Sequence, residues 1–116
     1  MKNKRFLISL RNALRGLMRV FALERNFRIH TIITLIILIL GVYFNLNALE
    51  WGVLLGFVGL VVITEIINSC LERFLDATLA FRNNRTRDIK DMAAGAVLAA
   101  SVLAVIVGLL IFLPKF

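Results

Sequence analysis

Three long apolar stretches, at about residues 30–46, 49–70 and 92–113, leave this chain few folds to choose from. Each approaches the ~20 residues that a helix needs to cross a bilayer. Lipid offers backbone N–H and C=O groups no partners, so such stretches must be helical. The first is the shortest, and TIITLIILILGVYF needs its flanks to complete a span. In 116 residues, 60% of them hydrophobic, there is room for one domain and no more. The expectation is an all-α integral membrane protein, a single domain over 1–116, with spans at about 28–46, 49–70 and 92–113. The link 45-NLNALE-50 is polar and short, so the first two spans form a helical hairpin. Tyr43 and Trp51 bracket it as an aromatic belt would, and Pro114 ends the third span.

Ahead of the spans, residues 3–25 read as an amphipathic surface helix. Leu7, Leu10, Leu14, Leu17 and Phe21 recur at spacings of three and four, with Arg5, Arg11, Arg15 and Arg19 around them. A basic helix of this kind lies in the membrane interface or packs beneath its own bundle, and interfacial contact is favoured. These 25 residues lack the continuous apolar core and small-residue cleavage site of a signal peptide.

Charge placement sets orientation. Of 14 Lys and Arg, eight precede the first span, five lie between the second and third, and only Lys115 follows the third. By the positive-inside rule the N-terminus and the 71–91 segment are cytoplasmic, and the link and C-terminus are outside. Basic charge that hugs membrane boundaries argues against a nucleic-acid partner. Around Arg82 to Arg85, 80-AFRNNRTRDIK-90 reads as a loop joining helical continuations. Gly52 and Gly56, and the series Ala96, Ala100, Ala104, have spacings that permit close helix contact. Cys70 reads as a small core residue, and His30 as a polar residue at the membrane boundary.

The second span, 51-WGVLLGFVGLVVITEIINSC-70, holds a carboxylate deep inside it: Glu65. A charge at mid-bilayer costs roughly 3 kcal/mol on insertion scales, so such residues usually have partners and a task. With Glu65 at zero on a helical wheel, Asn68, Glu72 and Asp76 fall at about −60°, −20° and +20°. The four share one face, running from inside the membrane to its boundary. Glu24, in 22-ALERNFRIH-30, and the pair Lys90 and Asp91 fall at the same boundary. Crowded carboxylates at low dielectric repel one another, and a divalent cation relieves this. Magnesium takes one or two protein carboxylates and keeps other positions for water and phosphate oxygens. Glu24 and Glu72 are placed to do that, and Lys90 to balance a phosphate. Burial makes the Glu65 carboxylate a stronger base at the depth of a lipid headgroup hydroxyl. Together these describe a lipid kinase. From composition and spacing alone an equal reading stands beside it: Glu65 and Asn68 as interhelical hydrogen-bonding residues, Glu72 and Asp76 as a solvated helix end paired with Arg73.

The strings 23-LERNFRIH-30, 64-TEIINSCLERFLDATL-79 and 90-KDMAAGAVL-98 occur in that order and resemble the prokaryotic diacylglycerol kinase family, which includes undecaprenol kinases. The resemblance covers nearly the whole chain. It implies a homotrimeric kinase of the bacterial plasma membrane, using ATP and Mg2+ to phosphorylate the hydroxyl of diacylglycerol or undecaprenol. It implies Glu65 as catalytic base, Glu24 and Glu72 as metal ligands that also meet nucleotide, and Lys90 and Asp91 as nucleotide contacts. Asn68 and Asp76 would line the site, and Arg5 would match an N-terminal arginine near nucleotide. ERNFRIH leans towards the Gram-positive branch and undecaprenol. Two departures stand out. The segment 81-FRNNRTRD-88 lacks the family's Ser-Pro-Glu or Ser-Glu loop with its histidine, and no aromatic lies near Asn12.

Two rival classes stand beside the kinase. A small proton-coupled transporter would need a continuous polar path and internal repeats, and the sequence shows neither. A non-catalytic membrane subunit would show no nucleotide-dependent phosphorylation of any lipid.

Overall fold

A computed structural model describes residues 2–78 and 84–116. The described residues form four α-helices: α1 (Lys2–Leu23), α2 (Arg25–Tyr43), α3 (Ala48–Thr78) and α4 (Asn84–Phe112). A 3-10 turn over Leu113–Lys115, with Pro114 in its first positions, closes the chain. α2, α3 and the α4 helix with its 3-10 turn are each long and apolar enough to cross a membrane. The protein is therefore an all-α, multi-pass membrane protein with an amphipathic helix ahead of its spans.

The break between α1 and α2 contains neither Gly nor Pro. Glu24 sits there in an extended conformation, φ −110° and ψ 111°. Arg28 fixes the corner: its Nη1 donates to the carbonyls of Phe21 (3.0 Å) and Ala22 (2.9 Å). Those carbonyls belong to the last turn of α1, whose acceptors have no partners within the helix. A basic side chain thus closes α1 while starting the first span.

At the other end, Asn45 takes a left-handed φ of 55°, a conformation Asn tolerates better than most residues. Asn47 then starts α3. Its Oδ1 accepts the Glu50 N–H at 2.8 Å, and its own N–H donates to Glu50 Oε1 at 3.1 Å. This reciprocal pair is a capping box, which explains how so short a polar link reverses the chain. Lys115 Nζ reaches Glu50 Oε2 at 3.0 Å and ties the C-terminus to the same corner. Trp51 belongs less to an exposed belt than to the interior: it packs on a cluster of Leu46, Leu54, Val58 and Ile111. Tyr43 stays exposed.

α3 is the central element, packed on α4 and, less extensively, on α2. Its 31 residues span about 46 Å, longer than the ~30 Å hydrocarbon core. The surplus of about 16 Å leaves room for α3 to extend beyond that layer. The molecule is a slab of 52 × 46 × 21 Å, about two helix diameters thick. Most large apolar side chains of the spans point outward, as in Ile39 and Leu110.

Several sequence expectations are corrected. Cys70 is exposed, not in the core. It lies about 140° from Glu65 around α3, and the face turned inward is the one carrying Glu65. Helix α4 begins at Asn84, so Asn84 and Arg85 are helical and not part of a loop; Arg82 lies outside the described residues. A Cβ added at Gly52 or Gly56 would meet nothing within 4 Å, so their spacing serves no contact within the chain. Of the alanine series, Ala100 is buried and Ala96 exposed. The apolar stripe of α1 needs no correction: it is exposed along its length, and Val20 is the buried residue of that helix.

Candidate active site

The polar stripe of α3 is present, and burial falls along it. Glu65 is 4% exposed, Asn68 and Glu72 are half-buried, and Asp76 is exposed. The helical period alone orders these residues, and His30 of α2 stands against the deep end. Asn68 Nδ2 donates to Glu72 Oε1 at 3.4 Å. Asn68 Oδ1 is buried without a hydrogen-bond partner. A buried acceptor of this kind carries a desolvation cost of about 1–3 kcal/mol until something donates to it or binds it.

Glu24 arrives from the α1–α2 corner. Arg73 on α3 holds it, with Nε and Nη2 both 2.8 Å from Glu24 Oε1. This charge-assisted pair spans 49 residues of sequence and draws the corner onto α3 beside Glu72. Arg73 therefore pairs with Glu24, in place of the Glu72 or Asp76 pairing that the sequence also allowed. Glu24 and Glu72 both lie within electrostatic reach of Glu65. The corner at Glu24 and the stripe on α3 thus form one acidic layer.

From the other side, Lys90 Nζ meets Asp76 Oδ1 at 2.6 Å. This pair links the first turns of α4 to the last turns of α3 and sets the height of Asp91, the next residue, which is exposed. Arg5 is not brought into the layer by its own chain. It is exposed near the far end of α1, whose 22 residues extend about 33 Å.

Sequence reasoning gives His30 no role beyond the boundary. In the structure its Nε2 lies 3.8 Å from Glu65 Oε2. Nothing in the local pattern marks this contact, because it depends on how α2 crosses α3.

Comparison with known proteins decides the family. A family model described as prokaryotic diacylglycerol kinase matches residues 11–112. The chain belongs to the prokaryotic diacylglycerol kinase family. This membership makes it an enzyme, a membrane-embedded lipid kinase. Among similar proteins, an undecaprenol kinase from Bacillus subtilis (strain 168) is 35% identical over 111 residues, covering 96% of this chain and 90% of that protein. A diacylglycerol kinase from Synechocystis sp. is 40% identical over 109 residues, covering 93% of this chain and 62% of the relative. The diacylglycerol kinase of Escherichia coli (strain K12) is 30% identical over 92 residues, covering 79% of this chain and 75% of the relative. All three matches are to lipid kinases of the same family, and the kinase resemblance drawn from three short strings extends over most of the chain.

Proposed function

We propose that this kinase transfers the γ-phosphoryl group of ATP to the hydroxyl of a membrane lipid, with Glu65 as general base. The observation that carries the reading is a carboxylate 4% exposed at the deep end of a stripe that leads to Glu72 and Asp76. Depth separates the two substrates: a lipid hydroxyl arrives within the apolar layer, and a soluble nucleotide arrives from the polar end. Glu65 takes the hydroxyl proton as the lipid oxygen bonds to the γ-phosphorus. The bond from that phosphorus to the bridging oxygen breaks, and the nucleoside diphosphate leaves with its electrons. Phosphoryl transfer demands mainly positioning and charge neutralisation, so the missing Gly-rich phosphate loop is no obstacle.

The donor set at the site suits Mg2+. Among the described residues there is no cluster of three or more His, Cys, Asp or Glu positioned to hold a metal. Two carboxylates, Glu24 and Glu72, match an ion that binds protein through one or two carboxylates and keeps its other positions for water and phosphate. The unpartnered Asn68 Oδ1 adds an acceptor beside them. When bound, Mg2+ would neutralise the phosphate oxygens on which charge develops. Arg73 orients Glu24 for that task. Lys90 and Asp91 would contact the nucleotide at the polar end, with Lys90 exchanging Asp76 for a phosphate. Arg5 would reach a nucleotide only from a neighbouring copy or after α1 moves. A homotrimer is part of this reading, and the open face at Gly52 and Gly56 lets a helix of another copy approach. The placement of Lys and Arg supports a cytoplasmic N-terminus and an external C-terminus.

For the acceptor we favour undecaprenol, because the match to a protein of that activity runs through nine-tenths of its length. Diacylglycerol is the second reading, favoured by the higher identity to the Synechocystis protein. Purified kinase in mixed micelles, given ATP, Mg2+ and each lipid in turn, separates them. The expected result is phosphorylation of undecaprenol at a kcat/KM above that for diacylglycerol. Absence of phosphate transfer to either lipid would overturn the proposal.

A further inference from the structure

An apolar groove of about 360 Å³ lies between α2, α3 and α4. Its inner mouth is at His30, whose Nε2 lies 3.8 Å from Glu65 Oε2. From there it runs past Ile37 and Leu54 to Phe112 and Phe116. Along α2, His30 to Leu40 covers about 15 Å, half of the ~30 Å hydrocarbon core. Lipid chains lie in the same direction, because helices cross a bilayer within about 20° of its normal on average. α2 and α4 each pack on α3 and have no extensive contact with one another, so the groove has an open side. Its lining has few polar groups, and the Thr34 hydroxyl among them donates to the His30 carbonyl at 2.8 Å. A second apolar pocket, of about 630 Å³, is lined by α1, α2 and Val62 of α3, and no residue of the acidic layer is in its wall.

The outer end of the groove is walled by aromatic rings. Phe44 meets Phe112 edge-on with centroids 6.1 Å apart, and Phe116 with centroids 4.9 Å apart. Aromatic rings prefer this arrangement to a flat stack. Phe112 also packs on the cluster of Leu46, Leu54, Val58 and Ile111. The contact of Lys115 Nζ with Glu50 Oε2 at 3.0 Å holds the turn that brings Phe116 back. Phe112 is half-buried and Phe116 exposed, so Phe112 is the fixed part of the wall. On α4, Ser101, Val105, Gly108 and Phe112 recur at spacings of four, three and four, and they share the face that lines the groove. A Cβ added at Gly108 would meet nothing within 4 Å. The groove therefore stays wide to within about 6 Å of Phe112.

We propose that the groove seats one apolar chain of the acceptor lipid, its hydroxyl at Glu65, and that Phe112 and Phe116 set how far the chain runs straight. This deepens the lipid-kinase reading and rests on it. The mouth at His30 joins the groove to the base, which is why a lipid chain is its occupant. A chain longer than about 15 Å turns out through the open side between α2 and α4. The tail gains little by leaving lipid for the groove, since lipid is as apolar as the groove wall. It gains position instead. A seated chain holds the hydroxyl against the base, where a misplacement of about 1 Å can cost about 100-fold in rate. The aromatic wall takes no part in the bond changes and determines specificity through chain length.

The test is kcat/KM for phosphorylation of polyprenols of increasing length by the full-length protein in mixed micelles. In wild type it is expected to rise with length until the chain fills the groove, and to level off beyond. Gly108→Phe should move that plateau to chains about 6 Å shorter. It should also lower kcat/KM about tenfold for chains that reach the wall, with the shortest chains losing least. Phe112→Ala and Phe116→Ala should move the plateau to longer chains. With diacylglycerol as acceptor, the same series varies one tail at a time. A plateau unmoved in all three variants, or a loss by one factor at every length, would overturn the proposal. So would a Gly108→Phe protein whose oligomeric state changes while its plateau stays, a result that gives the groove to a second copy. Another readout needs neither turnover nor a variant. A polyprenol with a diazirine at its far end, photolysed with wild type, is expected to label Phe112 or Phe116 when it is about 15 Å long, and α4 near Ser101 when shorter. Label confined to outward-facing residues such as Ile39 and Leu98 would overturn the proposal. Wild type that phosphorylates no lipid would sink the kinase reading, and the labelling would still judge the groove.

Discussion

Gly41 lies against Trp51 where α2 meets α3, and Gly41→Ala is expected to weaken the hairpin. A Cβ at this position would lie 2.6 Å from Trp51 Cη2, 3.0 Å from Cζ2 and 3.1 Å from Leu46 Cδ1. Carbon atoms prefer separations of about 3.5–4.0 Å, so the indole must withdraw by roughly 1 Å. It has little freedom to do so, because it packs on the cluster of Leu46, Leu54, Val58 and Ile111. Overpacking of this kind costs about 1–3 kcal/mol, and the better helix propensity of Ala returns about 0.8–1 kcal/mol. The two ranges leave a net loss between about 0 and 2 kcal/mol, centred near 1 kcal/mol, a factor of roughly 5 in the folding equilibrium. Equilibrium unfolding in mixed detergent micelles measures it, and Trp51, the chain's one tryptophan, supplies the fluorescence signal. Gly16→Ala is the control: nothing lies within 4 Å of its Cβ position, and a gain of about 0.8–1 kcal/mol is expected. In a Trp51→Leu background, followed by circular dichroism, Gly41→Ala should cost less, because the obstructing ring is gone. Gly41→Ala protein that gains as much stability as Gly16→Ala would refute the reasoning. Turnover should be largely preserved in the folded fraction, since Trp51 lies about 21 Å along α3 from Glu65.

Other predictions concern the polar end. Glu72→Gln is expected to raise the Mg2+ concentration needed for half-maximal activity sharply, and an unchanged metal dependence counts against its ligand role. Arg73→Ala releases Glu24 from the corner. It should raise the same Mg2+ requirement several-fold while costing stability by at most about 1 kcal/mol, since the Arg73 side chain is 55% exposed. Asp76→Asn breaks the link to Lys90. Because the Asp76 side chain is 54% exposed, the stability loss should stay within about 1 kcal/mol and shrink in high salt. Chemical unfolding at low and high ionic strength checks this.

The number of spans and the polar face of α3 were legible in the sequence because both follow from local periodicity. Glu65, Asn68, Glu72 and Asp76 share a face whatever the rest of the chain does. The partners from elsewhere were not legible in that way. Glu24 and Lys90 were placed at the boundary by where the first and third spans begin, but Arg73 on Glu24 and His30 on Glu65 depend on helix crossing and rotamer. The corner at Glu24 was hidden for a different reason. Arg28 makes it by capping α1, and no Gly or Pro marks the break. Cys70 was misplaced because the usual inside-apolar rule fails in lipid, where apolar side chains face the solvent and polar ones the bundle. The alternative of a merely hydrogen-bonding Glu65 and Asn68 weakens on one detail: Asn68 Oδ1 is buried and unpartnered, which is a poor arrangement for a residue kept only for structure.

At the centre of the proposed mechanism stands Glu65, as the base that accepts the proton of a lipid hydroxyl. The direct measurement is phosphate transfer from radiolabelled ATP to undecaprenol and to diacylglycerol by wild type and Glu65→Gln, with nucleotide binding measured on the same samples. Loss of transfer to both lipids with nucleotide binding largely kept is the predicted result. Turnover retained by Glu65→Gln with either lipid would contradict it.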